Sequence, residues 1–145
     1  MEPSEIKLAP FDQVFFDSLN PADRAQILKP ENAVFRTILV GGEKAGVVGY
    51  IPFRDEHREG FAQAIVLPAF RGHGIAGIAD DLLAKEAGLI RLHVTITTTN
   101  IPSLHSIVRA GFTQVSEEKL TELRAQGKLN ADQIRFTKEY IQRHA

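Results

Sequence analysis

An apolar run ending in Val66-Leu67 stops at Pro68, and a few residues later the chain reads Arg71-Gly72-His73-Gly74-Ile75-Ala76. No other stretch limits the fold as tightly. Gly72 and Gly74 let the backbone turn without a Cβ clash, so that several N–H groups can converge on one small volume. Ile75, Ile78, Ala79, Leu82, Leu83 and Ala87 then recur at helical spacing, and Gly88 follows as a stop. A strand, a glycine turn and a helix N-terminus in succession make a site for an anion such as phosphate.

Two patterns fit this turn. Gly72-His73-Gly74-Ile75-Ala76-Gly77 matches G-x-G-x-x-G, the dinucleotide fingerprint, while Arg71, Gly74 and Ala76 match R/Q-x-x-G-x-G/A. A dinucleotide site needs an acidic residue about 20 positions on, at the end of the next strand. That strand, 91–97, runs instead into Thr98-Thr99-Asn100, and too little chain follows for a doubly wound sheet.

The second pattern resembles the GNAT superfamily of N-acetyltransferases, whose turn holds the pyrophosphate of acetyl-coenzyme A. A second block agrees: Asn100 to Phe112, with Ser103, Arg109, Gly111 and Phe112, is similar to the N-x-x-S…K/R-x-G-F segment of the branch that acetylates ribosomal-protein N-termini. The other common branch has alanine at the place of Ser103 and tyrosine at the place of Ile107. The resemblance implies an α/β (α+β) domain spanning residues 1–145, with a mixed, mostly antiparallel sheet of about six or seven strands, flanking helices and two splayed central strands.

The residues allow a coarse map. Strands are expected at 5–10, 34–40, 45–53, 60–67 and 91–97, with a last one near 134–140. Helices are expected at 11–29, interrupted at Asn20-Pro21, and at 75–87, 102–110 and 117–126. Residues 41–44 read as a hairpin turn and 54–59 as a charged loop. The last strand is apolar on alternate residues and is expected near a sheet edge, where a homodimer could form.

What the resemblance implies for chemistry falls on few residues. Val66 and Leu67 would bond the pantetheine arm through the backbone, and Leu67 N–H would polarise the thioester carbonyl. Arg71, Gly72, His73, Gly74, Ile75 and Ala76 would hold the pyrophosphate. Asn100 would bond the pantetheine, and Ser103 would lie near the sulfur as proton donor to the departing thiolate. Ser103 also suits a helix cap. An alkyl ammonium is only about one part in a thousand free base at pH 7, roughly 4 kcal/mol of handicap for direct attack, so a proton acceptor is needed. Glu56, His57, Glu59 and His93 are candidates, with Glu59 foremost; Gln63 cannot serve, although a water chain ending at a carboxylate could. Asp55, Glu56 and His93 are expected to meet the acceptor, and acids at the mouth hint at a cationic amine or a peptide N-terminus.

Composition excludes several alternatives. The chain has 145 residues, formal net charge −1 and no cysteine, so disulfides, thiolate metal sites and cysteine nucleophiles are out. Basic residues are scattered, which argues against a nucleic-acid footprint. No apolar run is long enough to span a membrane, and the acidic start suits a cytoplasmic protein better than a secreted one. The reading is an acyl-CoA-dependent N-acyltransferase acting on a primary amine, with acetyl-CoA as co-substrate and no metal. The runner-up is a GNAT-like acyl-CoA-binding or regulatory module without activity.

Overall fold

Alternating apolar residues flanking Gly41-Gly42 close a hairpin with both glycines at positive φ, +56° and +87°. It joins β2 (Val34–Val40) to β3 (Glu43–Pro52), so the turn is tighter than 41–44, and a bulge between Ile38 and Leu39 adjusts the register. The computed structural model describes residues 2–140. Around this hairpin lie β1 (Ile6–Pro10), α1 (Gln13–Asp17), α2 (Pro21–Arg24) and β4 (Glu59–Val66). Then follow α3 (Ile75–Ala87), β5 (Arg91–Thr97), α4 (Ile101–Arg109), β6 (Thr113–Gln114), α5 (Glu117–Ala125) and β7 (Gln133–Glu139).

The seven strands form one sheet in the order β1-β2-β3-β4-β5-β7-β6. Each pairing is antiparallel except β4 with β5. One face of the sheet, with Ile38, Val48, Leu92 and Phe136, buries against Ile75, Ala79 and Leu83 of α3. Leu83 and Ala79 are fully enclosed, and a leucine so placed stabilises the fold by about 1.5–3 kcal/mol. On the other face Val47 and Ile65 pack under Phe16 and Leu19, a smaller cluster that leaves β5 and β7 uncovered on that side. Among the described residues no helix is long and apolar enough to cross a membrane.

One expectation needs correction. The helical stretch 11–29 is two short helices of five and four residues. Past Arg24 the chain tightens into i→i−3 bonds, Gln26 N–H to Asp23 C=O at 3.2 Å and Ile27 N–H to Arg24 C=O at 3.1 Å, and Leu28 is then held by the sheet: the Gln63 side chain accepts from Leu28 N–H and donates to Leu28 C=O, both at 2.7 Å. The final strand lies near the sheet edge as expected, second from it, with the two-residue β6 outside it through Thr113 and Gln114, a strand too short for periodicity to reveal. The apolar alternation of β7 serves the core, where Ile134 and Phe136 pack.

Candidate active site

β4 and β5 are laddered over three residues only, Glu59 to Phe61 against Arg91 to His93, and then part. In the β3–β4 ladder, odd-numbered residues of β4 turn their backbone groups to β3: Leu67 N–H donates to Ala45 C=O at 2.8 Å and Glu59 C=O accepts from Phe53 N–H at 2.9 Å. Even-numbered residues must then point the other way, into the gap. So the N–H groups of Ala64 and Val66, not that of Leu67, face the opening, and β5 supplies no ladder partner there. Ala64 is exposed although it sits mid-strand near the centre of the sheet. The expectation for Leu67 N–H is thus corrected by two-residue alternation along a strand that already has β3 on one side.

Because β4 and β5 are parallel, their C-terminal ends lie at the same, open end of the gap, and the chain enters a helix after each. Gly72 and Gly74 have φ of +85° and +71°, and a Cβ at either would meet nothing within 4 Å. Gly74 caps α3 without any side-chain bond. Ile78 N–H is the first to find a helical acceptor, Gly74 C=O at 3.2 Å, so those of Ile75, Ala76 and Gly77 are left for an anion beside a 13-residue dipole. His73 is exposed at this turn and Ile75 anchors it, 2% exposed. Gly77, the third glycine of the fingerprint, serves packing, since a Cβ there would stand 2.7 Å from that of Ala110. Arg71 points elsewhere: Nε donates to Val66 C=O at 2.9 Å and Nη2 lies 3.3 Å from Asp23, so it borders the gap.

At the start of α4 the cap is Asn100, whose Oδ1 accepts from Ser103 N–H at 3.4 Å. Ser103 stands in the first turn, half-buried, and its hydroxyl has no partner among the described residues. It is not the cap.

The closed end of the gap carries a charged cluster. Glu59 Oε1 accepts from Arg91 Nη1 and from His93 Nε2, each at 2.9 Å. Burial works to raise the Glu59 pKa, but the bonds from His93 and Arg91 outweigh it and hold the carboxyl below its usual range. His93 moves down because burial outweighs the attraction of Glu59. An ionised carboxylate has no proton to give, so His93 Nε2–H must donate and Nδ1 keeps the lone pair. Phe53 stacks on the imidazole at 4.4 Å and fixes its plane.

A groove of about 720 Å³ runs along the uncovered face over β4 and β5, lined by Phe61, Gln63, His93, Thr95, Lys128 and Arg135 among others. Neither Asp55 nor Glu56 lines it, contrary to expectation. They belong to the loop before β4, at the closed end, where Glu56 is turned onto Arg58 at 3.1 Å; His57 is exposed there. Glu59 is occupied by its two partners. Arg135, Lys128 and Thr95 carried no sequence signal, since a charge on a strand resembles any solvated residue until the sheet order puts β7 beside β5.

The model of the acetyltransferase (GNAT) family matches residues 3–112. No curated protein matches the chain. Among solved structures, the microcin C7 self-immunity acetyltransferase MccE, in complex with acetyl-CoA and AMP, is 21% identical with a TM-score of 0.57. That match covers 76% of this chain and 62% of the other, so the chain spans under two thirds of that structure's length. RimL, a ribosomal-protein alpha-N-acetyltransferase in complex with coenzyme A, is 12% identical with a TM-score of 0.66 over 94% of each chain. The dodecameric spermidine N-acetyltransferase of Vibrio cholerae is 14% identical with a TM-score of 0.67, again over 94% of each. At these identities the likeness is one of fold.

Proposed function

The chain belongs to the GNAT acetyltransferase family, and from that premise we propose that it is an acetyl-CoA-dependent N-acetyltransferase working by direct attack of a primary amine. One observation carries the reading: two backbone N–H groups, those of Ala64 and Val66, open into an unladdered gap whose mouth holds the uncapped turn of α3. The residues suit acetyl-CoA. Val66 and Ala64 would bond the pantetheine arm, and the N–H groups following Gly72 and Gly74 would meet the pyrophosphate. Bound there, it supplies an acetyl thioester: the acceptor nitrogen bonds the carbonyl carbon, the C–S bond breaks and coenzyme A leaves as its thiol.

The chain's own groups have three tasks. Ala64 N–H, fixed in direction by the ladder to β3 and facing the gap, would meet the thioester oxygen as it gains charge, without reorganisation. Ser103, whose hydroxyl in the first turn of α4 has no partner among the described residues, would donate a hydrogen bond to the leaving thiolate, which takes up through groove water the proton that His93 removed from the amine. His93 accepts the amine proton at Nδ1 while Glu59 holds the imidazole in that tautomer. Three residues of strand, ~10 Å, separate Phe61 beside His93 from Ala64, so the proton passes through bridging water in the groove.

Free-thiol release from acetyl-CoA, measured with a panel of amines and peptides, tests this. Turnover with at least one acceptor is expected, and His93→Gln should reduce it by about 10²-fold, as loss of a positioned base does. Coenzyme binding without turnover of any acceptor would favour the non-catalytic module instead.

A further inference from the structure

The groove contains a cation that none of the described residues neutralises. Arg135 is 7% exposed, with its terminal nitrogens left open to the groove, and a guanidinium so enclosed favours an anionic partner at that end. Its Nε donates to Thr95 Oγ1 at 2.9 Å and its head lies 4.8 Å from the centre of the Phe61 ring. Among the described residues its two terminal nitrogens have no acceptor, and no carboxylate pairs with it. The nearby acid, Glu59, is taken by Arg91 and His93. Burial accordingly pulls the Arg135 pKa down with nothing to offset it.

The remaining charge of the groove has the same sign. Lys128 is exposed on the wall with no ion pair among the described residues, and Asp23 is paired with Arg71. Ring and hydroxyl fix the Arg135 plane, leaving the edge that carries the terminal N–H groups for a planar, two-oxygen anion, the geometry of a carboxylate.

Resting on the acetyltransferase reading, we infer that the acceptor is an amine that also bears a carboxylate, held by Arg135 and Lys128 while its nitrogen reaches Ala64. The spacing bounds its length. Arg135 reaches Phe61, and Ala64 lies ~10 Å further along β4, so amine and carboxylate should be separated by several bonds. A polyamine would place its second cation against Arg135.

The test compares acceptors matched in length in the thiol-release assay: 5-aminopentanoate, 5-aminopentanamide and 1,5-diaminopentane, with glycylglycine against glycylglycinamide as a second pair. The acids should exceed the amides by at least tenfold in kcat/KM, with the diamine poorest. Arg135→Gln should bring the acid-to-amide ratio near one, and Arg135→Lys should restore part of it. Because Arg135 is buried, exposed Lys128→Ala serves as the second variant, with the ratio falling severalfold at unchanged melting temperature. A wild-type ratio near one, preference for the diamine, no turnover of any acid, or a ratio unchanged in the folded variants would overturn the inference. Calorimetric titration with coenzyme A separates the two levels: binding, together with turnover of the diamine or amides alone, rejects carboxylate recognition and leaves the acetyltransferase standing. Absence of coenzyme binding rejects both.

Discussion

Replacing Asp80 with asparagine should stabilise this protein, increasingly so as the pH rises. Asp80 lies in α3, 5% exposed, and its Oδ1 has no hydrogen-bond partner among the described residues. Burial first, then the neighbouring Asp81, push its pKa from 3.8 up to about 8, with Lys138 opposing. Between those values the folded protein keeps a proton that the unfolded chain releases, so stability falls as pH increases through the window and levels off above it. At pH 7 the unfolded carboxyl is a little over 3 units past its midpoint, which at about 1.4 kcal/mol per unit sets a ceiling of roughly 4 kcal/mol. Asparagine keeps the shape and cannot ionise. The variant should match wild type near pH 4 and exceed it by roughly 2–4 kcal/mol at pH 7, or about 5–15 °C in Tm for a chain of this size. Urea unfolding of both proteins at several pH values reads the difference directly, and titrations common to both cancel. A gap that does not vary with pH, or a variant less stable than wild type at pH 7, would refute the reasoning.

Three further outcomes follow from the site. Gly74→Val should abolish measurable coenzyme A binding by calorimetry while the protein stays folded, since no neighbour obstructs a side chain there and only the φ of +71° is strained. Ser103→Ala should lower kcat roughly 10- to 100-fold with unchanged coenzyme affinity and melting temperature, whereas Asn100→Ala, which removes the true cap, should cost about 1 kcal/mol of stability; reversed assignments in melting and kcat would return Ser103 to a structural role.

Much of this was legible in the sequence, for identifiable reasons. The bounds of α3 and β5 read correctly because each has an unambiguous period and a stop, Gly88 with φ of +69° in one case. The turn at Gly72 and Gly74 was legible because positive φ selects glycine. What stayed hidden depends on partners distant in the chain. Which backbone amides of β4 face the gap is decided by pairing with β3. The helix does not continue through Leu28 because Gln63, 35 positions away, takes up both of its backbone groups. Asp55 and Glu56 looked like a site because they adjoin the motif strand, yet they adjoin its closed end. Arg135 became a candidate only once β7 was seen to lie against β5.

The central claim, that Ala64 and Val66 present unladdered amides to the co-substrate, is tested most directly by residue-resolved amide hydrogen exchange with and without coenzyme A. Ala64 and Val66 should exchange quickly in the free protein and become protected on binding, while Ile65 and Leu67, laddered to β3, should be slow in both states. Slow exchange at Ala64 and Val66 before coenzyme is added, or no gain in protection once it is bound, would contradict the account.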